Sequence, residues 1–147
     1  MKTRPVRLLL PVALGVVAIG AGPCGGSQKA DTGKFQGTDK DVAQAVYDFR
    51  DAVVKRDEGK VCDTYFTTEL KNTVTEKGKA AGRGDSCSKV IEDPLADIDA
   101  TDIKVKDVKV TGDTAVVTVT TNLTKGDDAS DTLTLKNERG WRISELP

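Results

Sequence analysis

The sequence predicts an α+β domain in which N-terminal helices pack on a curved antiparallel sheet of about four strands. Two observations lead to this prediction. Apolar residues recur at a helical spacing of about 3.6 residues in the first half of the chain, and alternate with polar residues in the second half. Short polar turns separate the alternating segments, which is typical of strands joined as an antiparallel meander. Because one face of such a sheet must be covered, we expect the apolar stripes of the helices to cover it.

The first predicted helix covers residues 38–59. Thr38 is placed to cap it, with Asp41 at the capping-box position, and Gly59 fits the stop. Its expected core face consists of Val42, Ala45, Val46, Phe49, Ala52 and Val53.

Two more helices are predicted before the strands begin. The second covers residues 60–74, and a loop with three glycines follows at 76–86. The third covers residues 86–98, where Pro94 is expected to bend or end the helix.

The four strands are predicted at residues 102–110, 115–123, 131–138 and 141–146. In the first strand the apolar phase changes between Val105 and Val108, which predicts a β-bulge. The sequence TGDT at 111–114 predicts a tight turn between the first two strands.

The first 23 residues have the order of a bacterial export signal. A basic stretch, MKTRPVR, is followed by the apolar run LLLPVALGVVAIG and then by the small residues AGP. The run is shorter than the roughly 20 residues that span a bilayer as a helix. We therefore expect residues 1–23 to be a cleaved signal peptide, with an uncleaved membrane anchor as the alternative.

Cys24 follows the apolar run in the sequence AGPCGGS, which resembles the lipobox of bacterial lipoproteins. In a lipobox the cysteine sulfur receives a diacylglycerol, and cleavage occurs just before the cysteine. Ala21 stands where leucine is usual, and Pro23 stands where glycine or alanine is usual. The competing interpretation is ordinary signal-peptidase cleavage after Gly20, since Ala18 and Gly20 fit the small-x-small rule.

The chain has three cysteines, and an exported chain can pair only two of them internally. Cys62 and Cys87 lie on the second and third predicted helices, whereas Cys24 lies in a Gly/Ser-rich segment. A disulfide between Cys62 and Cys87 would contribute roughly 3–4 kcal/mol by loop closure; two buried free thiols are the alternative. Lipidation of Cys24 would remove an exposed thiol from an oxidising compartment. We therefore predict a lipid on Cys24 and a Cys62–Cys87 disulfide.

Residues 24–37 are predicted to be a flexible tether, because they carry many small and polar residues without periodicity, and residues 38–147 the folded domain. Loss of Lys2, Arg4 and Arg7 with the signal leaves 19 basic against 23 acidic residues, a net charge of −4. Such a product has no electrostatic footprint for nucleic acid. We expect it at the outer face of the cytoplasmic membrane through its lipid, or secreted if Cys24 is not lipidated.

The order of these elements resembles a known family. A long helix leads into a second helix that opens with VC, and a later helix begins with cysteine. The strands contain GDTAVVTV and close with GWRISEL. Over residues 39–146 this is similar to the small secreted NTF2-like (cystatin-fold relative) lipoproteins of high-GC Gram-positive bacteria. In those proteins the paired cysteines resemble Cys62 and Cys87.

The resemblance implies a curved sheet that wraps a long helix and encloses a conical cavity. No clear strand lies between the second and third predicted helices, which implies a smaller sheet and a shallow cavity. The superfamily includes isomerases, dehydratases and cyclases, and also many members without catalysis, so the fold alone does not fix the function.

The chain has no histidine, which excludes Ser–His–Asp and Cys–His catalysis and removes the commonest metal ligand. We assign no catalytic residue, no metal site and no cofactor. The preferred prediction is a non-enzymatic, exported module that binds a small apolar ligand or a protein partner. The alternative is a small NTF2-like enzyme with an aspartate base and a tyrosine hydrogen-bond donor in the conical pocket, with candidates Asp48, Asp51, Asp63, Tyr47 and Tyr65.

Overall fold

The chain folds as helices packed on one face of a four-stranded antiparallel sheet, which confirms the predicted α+β architecture. The structure, a computed structural model, describes residues 29–96, 102–122 and 129–147. Its helical elements are α1 (Gly37–Val54), α2 (Glu58–Lys60), a π-helical turn (Val61–Tyr65), α3 (Thr68–Ala80) and α4 (Cys87–Ala96). Its strands are β1 (Asp102–Thr111), β2 (Thr114–Asn122), β3 (Ala129–Asn137) and β4 (Trp141–Glu145).

The sheet is a meander in the order β1-β2-β3-β4, and every neighbouring pair is antiparallel. Each strand lies within two residues of its predicted range. The bulge predicted after Val105 is present: Val105 pairs with Val119 and Asp107 pairs with Thr118, so that Lys106 is the extra residue. The inward face of the sheet buries Ala115, Val117, Val119, Leu133, Leu135 and Ile143.

Helix α1 is packed on more than one side. Its predicted stripe is buried, apart from the half-buried Ala45. It also buries three residues outside that stripe, namely Ala43, Tyr47 and Arg50. The buried face is wider than predicted because α1 contacts β1, β4 and the π-helical turn together.

The predicted start of the first helix is wrong in its detail. Helix α1 begins at Gly37, so Thr38 lies inside the helix. Gln36 occupies the N-cap position and makes no side-chain capping hydrogen bond. The predicted capping role of Thr38 and Asp41 is therefore not realised.

The same helix also ends earlier than predicted, at Val54. Arg56 takes the left-handed conformation, with φ of 53°, one residue after the C-cap. The Asp57 backbone N–H then donates to the Ala52 carbonyl at 3.0 Å, which closes the helix as a Schellman motif. Gly59 lies beyond this stop, in α2.

The second predicted helix is divided in the structure. Phe66 is extended, with φ of −89° and ψ of 145°, and forms a short parallel bridge with Ile143 of β4. The Thr67 N–H donates to the Ile143 carbonyl at 2.9 Å, and the Thr67 hydroxyl accepts from the Leu70 N–H at 3.2 Å. A new helix, α3, therefore starts at Thr68 because pairing with the sheet interrupts the first one.

Helix α3 continues to Ala80, through the first part of the predicted loop. Gly78 is buried there, and a Cβ atom at this position would overlap the methyl groups of Val90 on α4. Gly82, with φ of 68°, ends the helix in a second Schellman motif. The glycine at 78 thus serves the close approach of two helices rather than a loop.

Part of the predicted tether contacts the domain. Ala30 and Phe35 pack against the core. The Asp31 carbonyl accepts from the Tyr47 hydroxyl at 3.4 Å, and the Lys34 ammonium donates to the Lys106 carbonyl at 2.9 Å. These contacts attach residues 30–35 to α1 and to the bulge of β1.

Candidate functional site

Cys62 and Cys87 form a disulfide that joins the π-helical turn to the start of α4. Their Cα atoms are 6.1 Å apart, and both residues are buried. Cys24, the predicted lipidation site, lies outside the residues that the structure describes. Its modification stays a prediction.

An apolar cleft of about 260 Å³ opens between the helices and the inward face of the sheet. Phe49 and Val53 of α1 form one part of its wall, and Ile91, Pro94 and Leu95 of α4 form another. Phe49 and Val53 face this space because they are one helical turn apart on the buried stripe of α1.

The sheet supplies the opposite wall of the apolar cleft. Val119 of β2 and Leu133 of β3 contribute apolar side chains, while Thr121 and Asp131 contribute polar ones. Val119 pairs directly with Asp131, so both side chains project from the same face of the sheet. Among the described residues that line this cleft, Asp131 is the only one with an ionisable side chain.

A larger groove of about 620 Å³ lies beside α3. It carries charges of both signs, from Glu69, Lys77, Lys136 and Glu145. Such a groove stays favourably hydrated when empty, whereas the apolar cleft exposes hydrophobic surface to water. The apolar cleft is therefore the better candidate for a ligand site, although its volume is smaller.

The structure brings three of the predicted enzyme residues together, but outside the apolar cleft. Asp48, Asp51 and Tyr65 line a surface depression of about 300 Å³ with Lys55 and Lys60, and it shares no residue with the apolar cleft. Burial raises the pKa of Tyr65 above its ordinary value, opposed by the nearby Lys60 ammonium, so the side chain is a neutral phenol at pH 7.

The carboxylate of Asp51 is already engaged. It accepts from the Arg50 guanidinium at 2.7 Å, and Arg50 is only 3% exposed. The same guanidinium lies 5.0 Å from the centre of the Tyr47 ring, a cation–π distance. Asp51 and Arg50 thus form a structural pair on α1.

The other two enzyme candidates, Tyr47 and Asp63, do not line the depression that holds Asp48, Asp51 and Tyr65. The Tyr47 side chain is buried, and its hydroxyl is hydrogen-bonded to backbone atoms of Asp31 and Val105, so Tyr47 has a structural role. Asp63 forms an exposed ion pair with Lys71. The five residues proposed for an enzyme therefore do not converge on one cavity.

The three described ranges hold no group of three or more acidic or cysteine side chains placed to bind a metal ion. They also hold no helix with the length and hydropathy to cross a bilayer.

Sequence reasoning missed Asp131 and Thr121, although a signal was present. In the predicted third strand, Asp131 is in phase with Leu133 and Leu135, and the latter two are buried. Alternation alone therefore places Asp131 on the inward face of the sheet.

Comparisons with known proteins give little. No family model and no curated protein matches the sequence. A crystal structure of a protein described as an NTF2-like transpeptidase from Campylobacter jejuni is similar, with a TM-score of 0.46 and 16% sequence identity over 67% of this chain and 92% of that chain. A likeness of this size shows nothing about activity, and the α+β architecture follows from the helices and the four-stranded sheet described above.

Proposed function

We propose that this protein is an exported binding module, tethered to the outer face of the cytoplasmic membrane by a lipid on Cys24, which holds a small apolar ligand in its apolar cleft. The observation that carries the proposal is the apolar cleft itself. Its walls come from α1, α4 and the inward face of the sheet, and apolar side chains dominate them. A ligand that fills the cleft removes this surface from water, which is favourable by roughly 25 cal/mol per Å².

The disulfide supports the export part of the proposal. A buried Cys62–Cys87 bridge is typical of proteins that fold in an oxidising compartment. With these two cysteines paired, Cys24 is the remaining thiol of the chain, and it directly follows an export-type segment. Lipidation gives this thiol a role and gives the domain an anchor.

The five residues predicted for an enzyme all lie outside the apolar cleft, which supports binding rather than catalysis. A general base must reach the proton that it abstracts from a bound substrate. Asp48, Asp51 and Tyr65 line a separate depression. The Tyr47 hydroxyl is hydrogen-bonded to the backbone N–H of Val105. The apolar cleft is thus lined mainly by groups that bind rather than react.

Ligand binding is tested with the neutral fluorophore N-phenyl-1-naphthylamine, whose emission rises in apolar surroundings. We expect saturable enhancement with the wild-type domain and its loss in Thr121→Trp, which places a large ring at the cleft. The matched control is Thr120→Trp, because Thr120 is the neighbour of Thr121 on β2 and projects from the other face. Equal binding by both variants, or no saturable binding by the wild type, would exclude this cleft as the site.

Anchoring is tested by intact-mass analysis of the native protein beside Cys24→Ser. The proposal predicts a diacylglycerol mass on a chain that starts at Cys24, and detergent-dependent extraction that the variant lacks. Wild type and variant that are equally soluble and carry no lipid mass would remove the anchor while leaving the binding module.

A further inference from the structure

Asp131 occupies an unusual place for a carboxylate. It lies on β3 directly opposite Val119, and its side chain shares the inward face of the sheet with Leu133. It is half-buried and lines the apolar cleft. A side chain at this register position would be expected to be apolar, since the neighbours on its face belong to the core.

The described residues supply no counterion to the Asp131 carboxylate. Within the described ranges, no hydrogen bond or ion pair joins it to another residue, and no lysine or arginine lines the cleft. The nearest polar group by register is Thr121, which lies diagonally across the β2–β3 pair on the same face. Half-burial of a charge beside apolar walls is unfavourable unless a partner compensates it.

From these observations we propose that the apolar cleft selects cationic amphiphiles: an apolar chain fills the cleft, and its ammonium group binds the Asp131 carboxylate. This inference rests on the proposed function and specifies its ligand class. A carboxylate only accepts hydrogen bonds, so an ammonium, which only donates them, is its complement in charge and in hydrogen bonding. The Thr121 hydroxyl accepts a further hydrogen bond from the same ammonium.

The dimensions of the cleft limit the apolar part of the ligand. A volume of about 260 Å³ is slightly below the range of roughly 300–1,000 Å³ found for sites of drug-sized molecules. A single short alkyl chain fits into a cleft of this volume, whereas a two-chain lipid does not. The proposed ligand is therefore a small amine with one short apolar chain.

Three eight-carbon probes test the proposal, each used below its micelle concentration: n-octylamine, 1-octanol and octanoate. They share one chain and differ in the charge of the head group at pH 7. Displacement of N-phenyl-1-naphthylamine gives the affinity of each. With the wild-type domain we expect n-octylamine to bind at least about tenfold more tightly than 1-octanol, and octanoate to bind most weakly.

The variant Asp131→Asn keeps the shape of the side chain and removes its charge. We expect the amine-to-alcohol affinity ratio to fall to within about threefold of unity, because the charge-assisted hydrogen bond is lost. The matched control is Asp107→Asn, an exposed residue of β1 whose neutralisation changes the net charge equally and should leave the ratio unchanged.

The outcomes separate this inference from the proposed function. Saturable fluorophore binding with a wild-type ratio near unity would overturn the selection of amines and leave the binding module standing. Absence of fluorophore binding would overturn both. If Asp131→Asn weakened 1-octanol and n-octylamine equally, Asp131 would shape the cleft without binding the ammonium, and the proposal would fail.

Discussion

The Tyr47 hydroxyl on α1 accepts a hydrogen bond from the backbone N–H of Val105 on β1, at 3.3 Å. Strand β1 is at one edge of the sheet, where N–H groups lack a neighbouring strand. The same hydroxyl donates to the Asp31 carbonyl. The Tyr47 side chain therefore gives the backbone N–H of Val105, just before the bulge, a hydrogen-bond partner. It also connects the N-terminal segment, α1 and the sheet.

The substitution Tyr47→Phe should lower the free energy of unfolding by about 1–2 kcal/mol, because it leaves the Val105 N–H without a partner in a buried position. Urea denaturation followed by circular dichroism measures this. The matched control is Tyr65→Phe, since the Tyr65 ring contacts Phe49 at 6.3 Å between ring centres and keeps that contact without the hydroxyl. Equal losses in the two variants would show that the Val105 bond contributes nothing specific.

Replacement of Gly78 by alanine should destabilise the domain by about 1–3 kcal/mol, although alanine is the better helix former. The reason is the overlap of the new Cβ with the Val90 methyl groups, which forces α3 away from α4. Thermal denaturation measures the loss. Gly59→Ala is the control, because its Cβ would meet nothing closer than an Asp57 oxygen at 3.8 Å.

The contact between Gly78 and Val90 can also be tested with a double-mutant cycle. In the Val90→Ala background the obstructing methyl groups are absent, so Gly78→Ala should cost at least about 1 kcal/mol less than in the wild type. Strictly additive effects of the two substitutions would contradict the steric explanation.

The sheet was the most predictable part of the fold. Its strands alternate in sequence, and the loss of phase after Val105 alone predicts the bulge that the pairing at Asp107 shows. The inward position of Asp131 was equally predictable, since Asp131 is in phase with Leu133 along the strand. The predicted carboxylates Asp48 and Asp51 lie on α1 instead, and they line a depression outside the apolar cleft.

The helix boundaries were less predictable because distant contacts set them. Phe66 is extended through its bridge with Ile143, a residue from the last strand that no local pattern around Phe66 indicates. Gly78 reads as a loop signal in sequence, yet its role depends on Val90 of another helix. Helix α1 ends with Arg56 in the left-handed conformation, which usually takes glycine. The glycine that predicted the stop, Gly59, lies three residues later.

Arg56 provides a test of that helix stop. With φ of 53° it holds a conformation that costs a residue with a Cβ atom roughly 1–2 kcal/mol. We expect Arg56→Gly to be more stable than Arg56→Ala by about 1 kcal/mol, measured as the difference in urea midpoint. Both variants lose the hydrogen bond from the Arg56 guanidinium to the Ala96 carbonyl, so the comparison isolates the backbone. Equal stability of the two would place Arg56 outside the left-handed region in solution.

The disulfide should be a major source of stability for this domain. Cys62 and Cys87 are 25 residues apart, and closing a loop of that length in the unfolded chain is worth roughly 3–4 kcal/mol on the chain-entropy model. The double variant Cys62→Ser with Cys87→Ser should lose about that much free energy of unfolding, as should the reduced wild type. Cys24→Ser is the control and should leave the stability of the oxidised domain unchanged, since only the other two cysteines form the bridge. Free thiols at both positions in the unreduced protein, detected by mass spectrometry of alkylated peptides, would contradict the bridge and remove its support for export.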